Sequence, residues 1–233
     1  MSASPLDRPV WSALTGPQAR LATRLGDAVR IDPAIGFFAA CAGGSAASDD
    51  LGMLMFKTKR QSWLLEAGPV QPPLGLTLGR TAPLTQMIAE SPVLEEDSDG
   101  AEIVVLGDGD AAEMFALARA TEPGPWESAT HLYGGYYGIR EGGRLVAMAG
   151  TRLRPSAQLA EVSGVCTDPA ARGRGYARKL MVRVMRDMAD RGETPFLHCY
   201  SSNEGAIALY RTLGFAVRCE LVVSVLEVKH SGG

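Results

Sequence analysis

The chain has 233 residues, 46% of them hydrophobic and 21% charged, with a formal net charge of −3 at pH 7. This globular composition excludes a fibrous repeat or a wholly disordered chain, and the charge gives no electrostatic reason to expect nucleic-acid binding. No apolar run of about 18 residues and no signal-peptide core occur, so we expect a cytoplasmic protein without a membrane partner.

The first hundred residues are rich in alanine, glycine and proline. Apolar spacing predicts a helix over residues 18–29, and short apolar runs predict strands over residues 51–57 and 62–66. The acidic, turn-prone stretch 91–100 indicates a boundary loop. We therefore expect residues 1–99 to form an N-terminal α/β extension or an incomplete companion lobe.

From Ala101 onwards strands and helices alternate, which predicts a layered α/β domain over residues 100–228, followed by a disordered tail at 229–233. Asp110 is expected to cap a helix, with Glu113 as its capping-box partner. Glu141-Gly142-Gly143 predicts a hairpin turn. The remaining predicted elements are a strand at 103–106, strands at 136–140 and 144–151, a strand at 159–167, a helix at 175–191, a strand at 196–200, a helix at 203–213 and a strand at 221–228.

The most informative stretch is residues 165–177, VCTDPAARGRGYA, in which a strand breaks into a basic, glycine-spaced turn and then a helix. Main-chain N–H groups at a helix N-terminus lack partners and can hold a diphosphate. Gly173 and Gly175 let the main chain approach an anion closely, and Arg172 and Arg174 add charge. The stretch matches neither GxxxxGK[ST] nor GxGxxG.

Residues 172–177, RGRGYA, fit the pattern (Arg/Gln)-x-x-Gly-x-(Gly/Ala), and residues 203–215, NEGAIALYRTLGF, read as an Asn-led helix ending in LY-x-x-LGF. With both motifs in this order, residues 100–228 resemble the GCN5-related N-acetyltransferases (GNAT), and more closely their FR47-like branch. The resemblance implies a mixed sheet, acetyl-CoA as co-substrate, an amine acceptor and direct transfer in a ternary complex. It implies no metal, in agreement with four scattered cysteines that lack any CxxC spacing.

The resemblance also implies which residues would bind the coenzyme. The main chain of Val165 and Thr167 would bond the pantetheine arm, and the Val165 N–H would polarise the acetyl carbonyl. Gly164 suits a bulge that parts this strand from its neighbour. The full expected set is Val165, Thr167, Arg172, Gly173, Arg174, Gly175, Tyr176, Ala177 and Asn203.

Two residues are candidates for proton transfer during catalysis. Glu161 lies eleven residues before Arg172, the offset of the strand carboxylate in base-using family members, so it is the candidate general base, directly or through water. Alternation would place Glu161, Ser163, Val165 and Thr167 on one face of the strand. The alternative is a glutamate paired with Arg152 or Arg154.

Tyr210 is the candidate acid for the departing thiolate. It follows Asn203 by two helical turns, so the two side chains should share one face of their helix. The alternative interpretation is that Tyr210 packs against Leu213 and Phe215 and that Asn203 only caps the helix.

The acceptor side is less defined by the sequence. Trp126 and Tyr136 are candidates for lining the acceptor pocket, and hairpin or core packing is the alternative for each. Two other functions remain open: transfer of a longer acyl group or transfer to an amino acid, and a sensor that binds acetyl-CoA without catalysis. The acceptor could be a small amine, an amino acid, a peptide N-terminus or a protein lysine, and a homodimer is an open alternative to a monomer.

Overall fold

The computed structural model describes residues 4–44, 48–95 and 101–229. The α-helices within these ranges are α1 (Pro9–Thr15), α2 (Asp49–Thr58), α3 (Ala111–Thr121), α4 (Tyr176–Asp190) and α5 (Glu204–Thr212). The strands are β1 (Ala22–Leu25), β2 (Ala28–Ile31), β3 (Ala39–Cys41), β4 (Ser62–Glu66), β5 (Leu76–Ile88), β6 (Ile103–Leu106), β7 (Tyr136–Glu141), β8 (Arg144–Thr151), β9 (Leu159–Thr167), β10 (Thr194–Tyr200) and β11 (Ala216–Val228).

The strands form a small sheet, β1-β2-β3, and an eight-stranded sheet in the order β4-β11-β5-β10-β9-β8-β7-β6. In the large sheet β9 and β10 pair in parallel, whereas the other described neighbours pair antiparallel. The mixed α/β fold expected from the sequence is therefore confirmed.

Strands β4 and β5 come from the first hundred residues yet lie within the large sheet. β5 is hydrogen-bonded to β10 on one side, where Ile88 faces Phe196, and to β11 on the other side, where Leu76 faces Val228. The sheet therefore runs across the boundary expected at residue 99. Part of that boundary loop (96–100) and most of the expected tail (230–233) lie outside the described residues.

Two predictions in this part of the chain are wrong. Residues 18–29 form a 3-10 turn followed by β1 and β2, because Gly26 takes a φ of +51° and turns the chain between two strands. Residues 51–57 lie inside α2, whose buried residues Leu51, Leu54 and Met55 follow helical spacing. Periodicity alone does not separate a buried strand from a helix in such a short apolar run.

Most predictions after residue 101 are confirmed, including the hairpin at Gly142-Gly143 and the amphipathic α4. Leu180, Met181 and Met185 of α4 are fully buried against the sheet, and each such side chain contributes roughly 1.5–3 kcal/mol of transfer free energy. The capping box is wrong: Asp110 is the N-cap residue of α3, but its side chain does not cap this helix and accepts from the Gly107 N–H. Asp110 and Glu113 instead both bind Arg140 on β7.

A row of polar side chains crosses the large sheet and joins its strands. Arg152, just after β8, donates from Nε and Nη2 to Glu161 on β9 at 3.0 and 2.9 Å. His198 Nδ1 on β10 lies 2.8 Å from Glu161 Oε1, and its Nε2 lies 2.9 Å from Gln86 Nε2 on β5. Arg218 on β11 donates to Gln86 Oε1 at 2.8 Å. We call Arg152, Glu161, His198, Gln86 and Arg218 the polar row.

Glu161 is the most constrained member of the polar row, since none of its surface is exposed. Burial alone would raise its pKa. The charge of Arg152 and the hydrogen bonds from His198 and Arg152 outweigh burial and lower the pKa to about 2. The carboxylate is therefore ionised and fully engaged at neutral pH.

Glu161→Gln should lower the free energy of unfolding by about 3 kcal/mol at pH 7, because it leaves the buried Arg152 without its counter-charge. The wild-type pKa is depressed in the folded state, so this advantage is present above the unfolded pKa of about 4.5 and is lost as the pH falls towards 2. Urea unfolding at several pH values measures both effects.

Glu113→Gln is the matched control. It removes a carboxylate from an ion pair with Arg140 that is about half exposed, so we expect a loss below about 1 kcal/mol. Equal stability of wild type and Glu161→Gln at pH 7 would contradict the importance of the polar row.

Candidate active site

The large sheet opens between its two parallel strands. β9 and β10 pair only from Thr194↔Leu159 to Phe196↔Glu161, although β9 continues to Thr167 and β10 to Tyr200. Residues 196–200 of β10 are paired with β5 on the other edge of the strand. The edges of β9 and β10 that face each other beyond Glu161 are thus free of strand pairing, which confirms that the sheet parts here.

A bulge in β9 lies directly beside this opening. Gly164 has a φ of +63°, and the pairing with β8 shifts so that Ser163 faces Gly150 while Cys166 faces Met148. A Cβ at position 164 would also come within 2.8 Å of the Trp126 ring and 2.9 Å of the Tyr136 ring. Both the backbone conformation and the lack of space therefore require glycine.

The bulge reverses the alternation of side chains along β9. Val162 and Val165 pack against the same hydrophobic cluster as α4, whereas Cys166 belongs to the cluster that contains Tyr136 and α3. The predicted common face for Glu161, Ser163, Val165 and Thr167 is therefore wrong, because strict alternation holds only without a bulge.

The predicted phosphate turn leads into α4 with the expected backbone. Gly173 and Gly175 have φ values of +79° and +75°, and no atom lies within 4 Å of a Cβ built at either position. The described hydrogen bonds do not use the main-chain N–H groups of residues 173–177. An open turn with several free donors at a helix N-terminus is suited to an anion.

The arginines of this turn differ in their contacts. Arg174 is paired with Glu141 at 2.6 Å, and the Tyr176 hydroxyl donates to the same carboxylate at 2.6 Å. Arg172 Nε donates to the Thr167 carbonyl at 3.4 Å, beside the end of β9. Sequence reasoning missed Glu141, because it lies more than thirty residues earlier, in the β7–β8 hairpin.

Asn203 and Tyr210 lie on α5, which follows β10. The Asn203 side chain accepts a hydrogen bond from the Ala206 N–H at 3.1 Å, so the predicted N-cap is confirmed and its amide nitrogen is left to donate. Tyr210 packs edge-on against Phe215 with ring centroids 6.2 Å apart. Burial raises the pKa of Tyr210 to about 12, so its hydroxyl is protonated at neutral pH.

Two of the predicted coenzyme residues and Tyr210 pack against one hydrophobic cluster. Val165, Tyr176 and Tyr210 all pack against the cluster built around α4. The hydroxyl oxygen of Thr167 is buried and lacks a hydrogen-bond partner within the described chain. These contacts join the end of β9, the start of α4 and α5 around the opening in the sheet.

Glu161 lies in an ion pair with an arginine, which is the alternative to a general base that the sequence left open. It is fully buried, pairs with Arg152 through two hydrogen bonds and also accepts from the Leu153 N–H at 3.3 Å. A carboxylate with a pKa of about 2 attracts an ammonium proton only weakly. The geometry therefore does not favour a direct general base at this position.

Trp126 and Tyr136 lie on the other side of β9, where their rings meet edge to face at 5.2 Å. Together with Ser163, Gly164 and Arg152 they surround a crevice that is too narrow for a water molecule. Tyr136 is buried, and its hydroxyl has no hydrogen-bond partner among the described residues.

Gly124, Pro125 and Trp126, which border this crevice, also line a cleft of about 580 Å³, which we call the outer cleft. The opposite wall of the outer cleft consists of Phe37, Gln61, Trp63 and Arg80, all from the first hundred residues. No local signal in the sequence indicates this wall.

Among the described residues, no group of three or more histidine, cysteine, aspartate or glutamate side chains could hold a metal ion. No helix in those ranges has both the length and the apolar character needed to cross a membrane.

Residues 108–215 match the family model of the acetyltransferase (GNAT) family. A crystal structure of a GNAT-family protein from Novosphingobium aromaticivorans is 51% identical and has a TM-score of 0.91, covering 98% of this chain and 100% of that one. A GCN5-related N-acetyltransferase from Kribbella flavida shares the fold, with 18% identity and a TM-score of 0.66 over 99% of this chain and 98% of its own.

Among curated proteins, the N-alpha-acetyltransferase RimI of Mycobacterium tuberculosis is 43% identical over 82 residues, which are 34% of this chain and 51% of RimI. The matches span between 32% and 51% of the length of the curated relatives. The GNAT-family protein of Novosphingobium aromaticivorans, by contrast, is matched over its whole length at more than half identity. The chain therefore belongs to the GNAT family of acetyltransferases.

Proposed function

We propose that this protein is an N-acetyltransferase that moves the acetyl group of acetyl-CoA directly to a primary amine in a ternary complex. One observation carries the proposal: the unpaired edges of β9 and β10 open beside a glycine turn that has free main-chain donors. An extended thioester with a diphosphate at one end is complementary to such an opening.

In this proposal the coenzyme is held mainly by the backbone. The N–H groups of residues 173–177 bind the diphosphate, with Arg172 assisting, since Arg174 is paired with Glu141. The main chain of Val165, the main-chain N–H of Thr167 and the Asn203 amide bond the pantetheine arm. Backbone donors suit this task because they are fixed before the ligand arrives.

The chemistry then needs two kinds of help. The amine nitrogen attacks the thioester carbonyl carbon, and the Val165 N–H stabilises the negative charge that develops on the oxygen. As the carbon–sulfur bond breaks, the Tyr210 hydroxyl donates a hydrogen bond to the thiolate sulfur, which takes up a proton from water and leaves as the free thiol. The proton of the amine leaves to solvent through the outer cleft, because Glu161 is engaged in the polar row.

Tyr210 acts chiefly as a hydrogen-bond donor in this scheme. Its pKa of about 12 exceeds the value of about 8.5 for a thiol, so full proton transfer to a thiolate is uphill. The same raised pKa keeps the Tyr210 hydroxyl protonated. We therefore expect no loss of activity from its deprotonation until the pH exceeds about 11.

The direct test is a screen of amines with acetyl-CoA, in which free thiol is detected as the coenzyme is released. We expect turnover with at least one amine and faster turnover with acetyl-CoA than with longer acyl-CoAs. Tight coenzyme binding with no thiol release across the panel would instead favour a sensor.

Tyr210→Phe should lower kcat at least tenfold, because the donor to the thiolate is lost. The ring that packs on Phe215 is kept, so the dissociation constant for acetyl-CoA should change less than about twofold. Steady-state kinetics and calorimetry measure the two quantities. An unchanged kcat would remove Tyr210 from the mechanism.

Gly173→Asp should weaken acetyl-CoA binding at least tenfold, because it places a negative charge beside the diphosphate. Gly192→Asp is the matched control: Gly192 has a φ of +69° and equally open surroundings, but it lies at the other end of α4. Calorimetric titration should give near-native affinity for the control. Similar affinities for both variants would contradict the assignment of the turn.

A further inference from the structure

The outer cleft leads towards the opening between β9 and β10. Four aromatic side chains line it: Phe37, Trp63, Trp126 and Tyr200. It shares Trp63 and Tyr200 with a smaller cavity of about 60 Å³ that also reaches Cys199, on the part of β10 beyond its pairing with β9. Because Phe37 and Trp63 come from the N-terminal segment, that segment turns an exposed sheet face into a walled cleft.

Arg80, on β5, is held in place on the wall of this cleft. Its Nη2 donates to the Tyr200 hydroxyl at 2.9 Å. The guanidinium carbon lies 5.1 Å from the centre of the Trp63 ring and 5.9 Å from that of Tyr200. A cation fixed between two aromatic rings has already lost side-chain entropy, so it can bind a ligand at lower cost.

The charge of Arg80 is available. Arg8, Arg140 and Arg152 each pair with a carboxylate, but among the described residues no carboxylate lies within 4 Å of Arg80. One of its five N–H donors bonds Tyr200, which leaves a planar fork for a ligand. Such a fork matches the two oxygens of a carboxylate.

The charged groups that face Arg80 in the outer cleft are Arg119 and Glu122, both from the C-terminal end of α3. Glu122 has a φ of +48°, a conformation that costs a non-glycine residue energy. A carboxylate in the same cleft disfavours a purely anionic ligand. A ligand with both a carboxylate and a basic nitrogen is complementary to both charges.

We infer that the acceptor is a small amine that also carries a carboxylate, as an amino acid does, and that Arg80 binds this carboxylate. The inference rests on the proposed function and names its substrate class. The aromatic walls cover the body of the acceptor, and its reacting amine points along the cleft towards the opening between β9 and β10. A peptide N-terminus, in which the neighbouring carboxyl is an amide, would lack the group that Arg80 binds.

The test compares matched pairs of acceptors, L-phenylalanine with L-phenylalaninamide and L-lysine with L-lysinamide, in wild type and Arg80→Met. The quantity is the ratio of kcat/KM for the acid to kcat/KM for the amide. Dividing the wild-type ratio by the variant ratio cancels the different basicities of the two amines. We expect this quotient to be about tenfold or more for at least one pair, with an intermediate value for Arg80→Lys.

Arg119→Met is the matched control, since it removes another arginine of the same cleft, one that stacks on Phe115 at 6.0 Å. In Arg119→Met the ratio of kcat/KM for the acid to kcat/KM for the amide should stay within about threefold of the wild-type ratio. A quotient near one for both pairs with Arg80→Met, or an equal effect of Arg119→Met, would overturn the inference.

Binding separates this inference from the proposed function. Trp63 and Trp126 line the cleft, so tryptophan fluorescence reports occupancy without turnover. Tighter binding of an acid than of its amide, lost in Arg80→Met, would support the inference even if no amine were acetylated, and then the proposed function alone would fail. Equal binding of acid and amide in the wild type would overturn the inference.

Discussion

The site depends on one constraint: β10 separates from β9 after Phe196 yet stays hydrogen-bonded to β5. A strand that lost its partners on both edges would leave many main-chain groups unpaired, at a high cost in free energy. Because β5 occupies the other edge, only the edges that face the opening are left for a ligand. The opening is therefore built into the sheet, and the strand that permits it comes from the first hundred residues.

The polar row gives the same region a second fixed element. It runs from Arg152, just after β8, through Glu161, His198 and Gln86 to Arg218 on β11, which pairs with Asp7 of the N-terminal segment. Glu161 thus stabilises the sheet, and the proposed function assigns the chemistry to main-chain donors and to Tyr210. This division explains how a strand carboxylate at the family's offset can have a depressed pKa.

Local signals in the sequence were sufficient for the hairpin, α4, the Asn203 cap and the glycine at the bulge, because each depends on residues within a few positions. The place of β5 could not be predicted in this way. It contains Pro83, which argues against an interior strand, and its partners Phe196 and Leu226 lie more than a hundred residues away. The partners of Glu161 lie on other strands, Arg152 nine residues and His198 37 residues away, so residue type and offset alone could not decide between a base and a buried ion pair. The wall of the outer cleft depends on the same non-local packing.

The most direct measurement is a crystal structure of the protein with coenzyme A. We expect the diphosphate to accept hydrogen bonds from the main chain of residues 173–177 and the pantetheine arm to lie between β9 and β10, with its sulfur near Tyr210. A coenzyme bound elsewhere, or one that leaves the turn at Gly173 and Gly175 empty, would contradict the proposed site.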